Sequence, residues 1–127
     1  MKVIIAGSRT IHNIALVESA LFKAVQRWRN KGVSHYITEV VCGEAPGVDR
    51  LGKKIAQKAN IPVKSFPAEW DKYGKKAGYI RNLSMADYAD ALIAIWDGQS
   101  PGTRMMIELA KKKKLKIFVY KIEKIGI

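Results

Sequence analysis

The stretch ALIAIWDGQSPGT, residues 91–103, decides the fold of this chain. Its first six residues form an uninterrupted apolar run of strand length, which is typical of a strand buried on both faces of a parallel sheet. Glycines and small polar residues follow, and the apolar spacing beyond them predicts a helix over Thr103–Lys114. Because a strand that runs through a glycine-containing loop into a helix is the repeating unit of α/β proteins, this stretch predicts a parallel sheet.

The same unit recurs on both sides of this stretch. Short apolar runs predict four further strands, over Lys2–Ala6, Ile37–Cys42, Val63–Phe66 and Lys116–Tyr120. Helical spacing predicts three further helices, over 14–29, Asp49–Asn60 and Tyr79–Tyr88. Asn13 and Gly32 mark the two ends of the first helix. The alternation, with right-handed crossovers, indicates one α/β domain over residues 1–127: a Rossmann-like, doubly wound, parallel five-stranded sheet flanked by helices.

Composition narrows the class of protein further. The 127 residues include one cysteine, Cys42, which excludes an internal disulfide framework and a multi-cysteine zinc site, and we expect no metal. No apolar run approaches the ~20 residues that cross a membrane. The sequence opens directly on a strand, without room for a signal peptide. We therefore expect a soluble, cytoplasmic protein with no membrane partner.

The charge of the chain is strongly basic and uneven. There are 23 Lys and Arg residues against 11 Asp and Glu residues, a net charge of +12. Residues 66–103 carry four basic and five acidic side chains, so the positive excess lies in 1–65 and 104–127. Such an excess favours anionic partners such as nucleotides or nucleic acid, although a solvated, solubilising surface explains the charge equally well.

Three glycine-containing loops are the candidate ligand site. GSRT (7–10), GEAPGVD (43–49) and DGQSPGT (97–103) each follow a predicted strand and lead towards a helix, so a parallel sheet brings all three to one edge. Free N–H groups at a helix N-terminus form an anion site, and Ser100 and Thr103 add hydroxyl donors to it. An ordinary tight turn explains any one loop alone. Three on one edge predict a ligand that carries phosphate.

Neither of the recognised phosphate-binding fingerprints occurs in the chain. GSRTIH (7–12) is not G-x-G-x-x-G, and no G-x-x-x-x-G-K-[ST] is present. This disfavours NAD-dependent hydride transfer and P-loop hydrolysis, and we expect no cofactor. Arg9 and Arg81 are candidates for a bidentate phosphate clamp, or alternatively for ion pairs that tie the loops together. Trp70, with Lys75 beside it, is a candidate stacking platform for a base, or else an aromatic residue on which its own loop folds.

Several spaced motifs together resemble the SLOG superfamily, and more narrowly its small YspA- or YpsA-related branch. They cover nearly the whole chain: GSRT (7–10), VVCGEAPGVDRLG (40–52), FPAEWDKYGKKAGYIRN (66–82), MADYADALIAIWDG (85–98) and SPGTRMMIELA (100–110). The resemblance implies a Rossmann-like core, a nucleotide or nucleotide-derived ligand and a homodimer. The sequence itself offers only scattered apolar candidates for a dimer interface, such as Trp28 and Met105.

Two better-known branches of that superfamily frame the choice of function. The Lonely Guy phosphoribohydrolases cleave the N-glycosidic bond of nucleoside 5′-monophosphates, and Arg81 falls on the arginine of their Arg-Lys pair. Their glutamate lies three residues after a threonine that matches Thr103, where this chain has Met106. The nearest acid, Glu108, is two positions further on and therefore about 200° around the helix. If the chain is such an enzyme, Arg81 and Glu108 are its candidate catalytic residues.

The DNA-processing protein A family, which binds single-stranded DNA, is closer at Gly7-Ser8-Arg9, at Gly43-x-Ala45-x-Gly47-x-Asp49 and at Arg81-Asn82. The missing glutamate nevertheless favours a binding protein, a sensor or sequestering protein for a phosphate-bearing ligand that is nucleotide-like, ADP-ribose- or NAD-derived, or cyclic. Phosphoribohydrolase activity and single-stranded DNA binding are the alternatives. The predicted ligand-binding residues are Gly7, Ser8, Arg9, Thr10, Gly43, Gly47, Asp49, Trp70, Lys75, Arg81, Asn82, Ser100, Gly102 and Thr103.

Overall fold

The computed structural model describes residues 1–32 and 37–122. The strands in chain order are β1 (Lys2–Gly7), β2 (Glu39–Cys42), β3 (Val63–Ser65), β4 (Ala91–Trp96) and β5 (Lys116–Lys121). The helices are α1 (Ile14–Asn30), α2 (Val48–Lys58), α3 (Trp70–Tyr73), α4 (Ala77–Tyr88) and α5 (Pro101–Lys112). One 3₁₀ turn, Gly74–Lys76, joins α3 to α4. No described helix is long and apolar enough to cross a membrane.

The five strands form one parallel sheet in the order β3-β2-β1-β4-β5, which confirms the predicted doubly wound α/β fold. β1 is central, and Ile5 lies opposite Ile93 of β4 in the register. The chain builds outward from β1 to β3 and then crosses to β4 on the other side. The order therefore reverses between β1 and β4, and ligands of open α/β sheets bind at the carboxyl ends of the strands beside such a point.

Alternation along each strand divides the core between the two faces of the sheet. Val3 and Ile5 of β1 pack with α1 and α2, whereas Ile4 packs with α4 and α5. Trp28 of α1 is also in the first of these clusters and is 4% exposed. The suggestion that Trp28 serves a dimer interface was therefore wrong, since the core already covers its ring.

Helix α1 begins and ends where the sequence predicts. The side chain of Asn13 accepts a hydrogen bond from the Leu16 N–H at 3.3 Å, and Gly32 follows the helix with a φ of +74°. Other boundaries differ from the prediction. β2 begins at Glu39 rather than Ile37, because Glu39 is the first residue paired with β1. α5 begins at Pro101 rather than Thr103, because proline is pre-organised for the first position of a helix.

The segment 70–78, predicted to be a loop, instead contains α3, the 3₁₀ turn and the start of α4. The prediction was wrong because a four-residue helix with no buried residue has no apolar periodicity to detect. The second helix is predicted to run to Asn60 but ends at Lys58, and Ala59 beyond it is exposed.

Gly47 allows the loops after β1 and β2 to touch. It has a φ of +80°, and a Cβ atom placed there would lie 2.4 Å from the carbonyl oxygen of Ser8. That oxygen accepts a hydrogen bond from the Val48 N–H, the first residue of α2, at 3.4 Å. Any side chain at position 47 would therefore separate the two loops as well as strain the backbone.

We expect Gly47→Ala to lower the free energy of unfolding by about 3 kcal/mol or more, because backbone strain and a clash with backbone add together. Gly32→Ala is the control: its φ is +74°, but none of the residues in 1–32 and 37–122 lies within 4 Å of an added Cβ, so we expect a loss of only about 1 kcal/mol. Urea denaturation of both variants measures the difference. Equal losses would show that the contact between the loops contributes nothing.

Candidate functional site

A buried carboxylate ties together the loops at the carboxyl edge of the sheet. Asp49, in the first turn of α2, is 5% exposed and accepts a hydrogen bond from the Ala45 N–H at 3.4 Å. Burial raises its pKa to about 6, and the positive charge of Arg81 and the backbone N–H groups of Ala45, Gly7 and Gly43 oppose the rise. Asp49 therefore joins the ends of β1 and β2 to the start of α2.

Arg81 of α4 reaches across from the other face of the sheet. Its Nη1 donates a hydrogen bond to the carbonyl oxygen of Gly43, and its Nε donates to the side-chain oxygen of Asn82 at 2.7 Å. Partial burial lowers the pKa of Arg81, the charge of Asp49 opposes this, and the charge of Arg9 lowers the pKa further. Arg81 is thus fixed in place while a second guanidinium repels it.

A second network joins the loop after β1 to the loop after β4. The hydroxyl of Ser8 accepts a hydrogen bond from the Asp97 N–H and shares a hydrogen bond with the Ser100 hydroxyl, both at 3.1 Å. The Asp97 carboxylate accepts from the backbone N–H groups of Gln99 and Ser100 and from the Ser100 hydroxyl. These contacts fix the position from which α5 starts.

The N-terminus of α5 opens onto this edge without a side-chain cap. Ser100 is the N-cap residue, but its hydroxyl makes no capping hydrogen bond, because it is engaged with Asp97 and Ser8 instead. The first N–H groups of a helix have no partner inside the helix. The backbone around Gly102 is also open, since nothing lies within 4 Å of a Cβ added there. The geometry suits an anion, which the helix dipole would stabilise.

These elements enclose a cleft of about 590 Å³ beside the reversal point of the sheet. Its volume lies within the range of small-molecule sites. Among the predicted ligand-binding residues, those that line the cleft are Gly7, Arg9, Thr10, Asp49, Trp70, Lys75, Arg81, Asn82, Ser100, Gly102 and Thr103. The described residues include no group of three or more His, Cys, Asp or Glu side chains that could hold a metal ion.

Four predicted site residues do not line the cleft. Ser8, Gly43 and Gly47 lie behind its wall, where Ser8 and Gly43 accept the hydrogen bonds described above and Gly47 makes room for the loop contact. Glu108, the tentative catalytic acid, is exposed on α5 and is also absent from the cleft. Met106 is buried and lines the cleft instead, which matches the 200° separation of these two side chains.

The sequence analysis did not identify the apolar lining of the cleft. Tyr79 and Met85 of α4, and Met105 and Met106 of α5, all line it. Helical spacing from residues already chosen would have found three of them, since Met85 lies four residues after Arg81 and the α5 pair lies three and four after Gly102. From the sequence, Met105 is instead a candidate for a dimer interface, and Met106 is named only as the residue in the place of the glutamate.

The chain is similar to known proteins in both sequence and fold. The YspA, cpYpsA-related SLOG family matches residues 1–73, which confirms the resemblance drawn from the motifs. The Gene 61 protein of Mycobacterium phage D29 is 33% identical over 117 residues, covering 87% of this chain and 89% of that protein.

Among solved structures, DNA processing protein A (DprA) from Streptococcus pneumoniae is similar with a TM-score of 0.69 and 15% sequence identity. The alignment covers 98% of this chain, which spans about half, 51%, of that one. At this identity the likeness shows the fold alone.

The raised pKa of Asp49 predicts a pH dependence of stability. Between 3.8, the ordinary pKa of an aspartate, and about 6, the folded protein binds more protons at this carboxyl than the unfolded chain does. Stability from this group is therefore present at low pH and is lost as pH rises through 6. We expect the wild type to lose about 1 kcal/mol from this source between roughly pH 5 and pH 7.

Asp49→Asn removes the titrating proton while it keeps one side-chain oxygen as an acceptor. Urea denaturation at both pH values measures the unfolding free energy of wild type and variant. The difference between the two proteins isolates Asp49, because the contributions of all other carboxyls are the same in both and cancel. A difference that does not change with pH would contradict a raised pKa.

Proposed function

Because the chain belongs to the YspA, cpYpsA-related SLOG family, we propose that it binds a small phosphate-bearing nucleotide or nucleotide-derived ligand in the cleft, as a sensor or sequestering protein. Candidate ligands are mononucleotides, ADP-ribose-like or NAD-derived dinucleotides and cyclic nucleotides. Family and fold are consistent with nucleotide or nucleic-acid binding in general. The preference for a small ligand rests on the cleft.

One observation carries the proposal: two arginines, Arg9 and Arg81, line the cleft together with the uncapped start of α5. Among the described residues, no salt bridge joins either guanidinium to a carboxylate. An anion between two arginines and the uncapped start of α5 would relieve their repulsion and complete the first turn of the helix. A phosphate group has the charge and the acceptor oxygens for both tasks.

The apolar walls support a base as the second part of the ligand. Trp70 and Tyr79 are 53% and 47% exposed, and both line the cleft together with Met85 and Met106. Exposed aromatic rings beside cations are the surfaces on which bases stack. A simple inorganic anion would leave these apolar side chains in water.

Binding without turnover is favoured over phosphoribohydrolase activity. N-glycosidic hydrolysis needs a carboxylate near the ribose or the attacking water. Met106 occupies the position where the resemblance places that glutamate, and Glu108 is exposed away from the cleft. The hydrolase remains the second candidate because Asp49 lines the cleft and has a raised pKa of about 6, a property of general acids.

Assembly and location complete the proposal. The SLOG resemblance suggests a homodimer, and a cytoplasmic location suits a nucleotide sensor. Met105 is half-buried and lines the cleft, so a dimer contact near this residue would add a wall to the site. Light scattering at micromolar concentration tests this assembly, and a monomer mass would remove the dimer from the proposal.

We expect a panel of nucleotides, including AMP and ADP-ribose, to contain a ligand that raises the melting temperature by mass action. For that ligand, Arg9→Ala should weaken binding about tenfold or more, because a charge-assisted hydrogen bond to phosphate is lost. Arg50→Ala is the control, since Arg50 is exposed on α2, carries the same charge and does not line the cleft. Titration calorimetry measures both affinities. Equal effects of the two variants would refute a phosphate clamp.

Chromatography of the same incubations separates binding from hydrolysis. If the protein only sequesters the ligand, the ligand is recovered chemically intact, in a molar ratio to protein that equals the number of binding sites. Release of free base and ribose phosphate from AMP, abolished by Arg81→Lys and by Asp49→Asn, would instead establish the phosphoribohydrolase.

Salt dependence distinguishes a small ligand in the cleft from a DNA strand. A small ligand has only one or two phosphate groups to be neutralised in the cleft. Its log–log slope of affinity against salt concentration should therefore be no steeper than roughly −1 to −2. For a DNA strand, each phosphate contact adds about −0.7 to this slope. We expect small-ligand binding to persist between about 50 and 200 mM salt, and oligonucleotide binding to be weak and largely lost over that range. Length-dependent oligonucleotide binding that survives, without any response to small nucleotides, would favour DNA.

A further inference from the structure

A second concave surface lies away from the cleft, between the second half of α1 and the edge strand β5. We call it the α1–β5 groove, and its volume is about 490 Å³. Its walls carry four cationic side chains, Lys23, Arg27, Lys31 and Lys121, and none of the described residues that line it is acidic. Binding of a nucleotide in the cleft does not need these four cations, because none of them lines the cleft.

The cations of the α1–β5 groove form a row. Lys23, Arg27 and Lys31 follow at intervals of four residues, so that each lies about one helical turn, or roughly 6 Å, from the next. Lys121 stands on the opposite wall. A row of equally spaced charges suits a linear chain of anions better than it suits a single ion.

Two of these cations, Lys23 and Arg27, are held by aromatic rings rather than by carboxylates. Lys23 Nζ lies 5.0 Å from the centre of the Tyr120 ring, and Arg27 lies 5.1 Å from that of Phe118. In the described chain no salt bridge involves either cation. Cation–π contacts position a charge without neutralising it, so these side chains stay available to an external anion.

An exposed aromatic residue lies on the same helix as the row of cations. Phe22 is 64% exposed, the highest value among the large apolar side chains the structure describes. It lies one helical turn before Gln26, which lines the α1–β5 groove, whereas Phe22 itself does not line the groove. A cationic track with an exposed aromatic ring at its side is the combination that binds single strands of nucleic acid, since the track follows phosphates while the ring stacks on a base.

We propose that the α1–β5 groove is a low-affinity binding site for single-stranded nucleic acid, separate from the nucleotide cleft. The cations contact successive phosphates and Phe22 stacks on a base. Four phosphate contacts give a salt slope of about −2.8, so the site operates at low salt and fades as salt rises. This surface, and not the cleft, then accounts for the salt-sensitive oligonucleotide binding expected above.

The test uses the full chain and a fluorescein-labelled oligo-dT of about ten nucleotides, followed by anisotropy across the same salt series. The double variant Lys23→Gln with Arg27→Gln should make the log–log slope less steep by about 1.4, which corresponds to two phosphate contacts. Lys111→Gln with Lys112→Gln is the matched control, because both lysines are exposed on α5 and the loss of net charge is equal. The control should leave the slope close to that of the wild type.

The variant Phe22→Ala provides a second, independent test of the proposal. Loss of stacking should weaken oligo-dT binding about fivefold or more at every salt concentration without changing the slope. Unchanged melting temperatures show that the variants fold. Equal slope changes in the two double variants, or no oligo-dT binding at low salt, would overturn the proposal. Competition by poly-glutamate as strong as that by unlabelled oligo-dT would also overturn it, and would assign the groove to acidic protein segments.

Discussion

The buried carboxylate of Asp49 is the constraint on which the site depends. A charge that is 5% exposed is costly unless hydrogen bonds and an opposite charge compensate it. The compensation comes from the backbone of Gly7, Gly43 and Ala45 and from the guanidinium of Arg81, which lie on different elements. The ends of β1 and β2, the start of α2 and the middle of α4 must therefore come together for the fold to tolerate Asp49. The residues that form the wall of the cleft are fixed by the same requirement.

The second network, around Asp97, explains why the start of α5 is available to a ligand. A serine at an N-cap position normally accepts a hydrogen bond from the first turn of its own helix. Here the Ser100 hydroxyl is engaged by Asp97 and Ser8, so the helix forgoes that stabilisation. The cap normally contributes about 1 kcal/mol. An anion bound at Gly102 would restore it, and the free energy of binding would include this gain.

The fold could be predicted from the sequence because its signals are local, whereas the site depends on contacts between distant residues. The run 91–96 is apolar throughout because both of its faces are covered, and that property is visible in six letters. The engagement of Ser8 with Asp97, 89 residues away, is not visible, so Ser8 was assigned to the ligand. The displacement of Glu108 from the cleft was predictable, since it depends only on helical spacing.

The two charged surfaces differ in what holds their cations, and this difference separates two kinds of recognition. In the cleft, Arg81 is fixed by hydrogen bonds to Gly43 and Asn82, so its charge has one position and suits a ligand of defined shape. In the α1–β5 groove, Lys23 and Arg27 rest on aromatic rings, which hold a cation close without fixing its direction. Such side chains follow phosphates wherever a flexible strand presents them. A chain with a net charge of +12 can therefore combine a selective pocket with an unselective basic surface, because Arg81 of the pocket is held by a backbone and an amide oxygen.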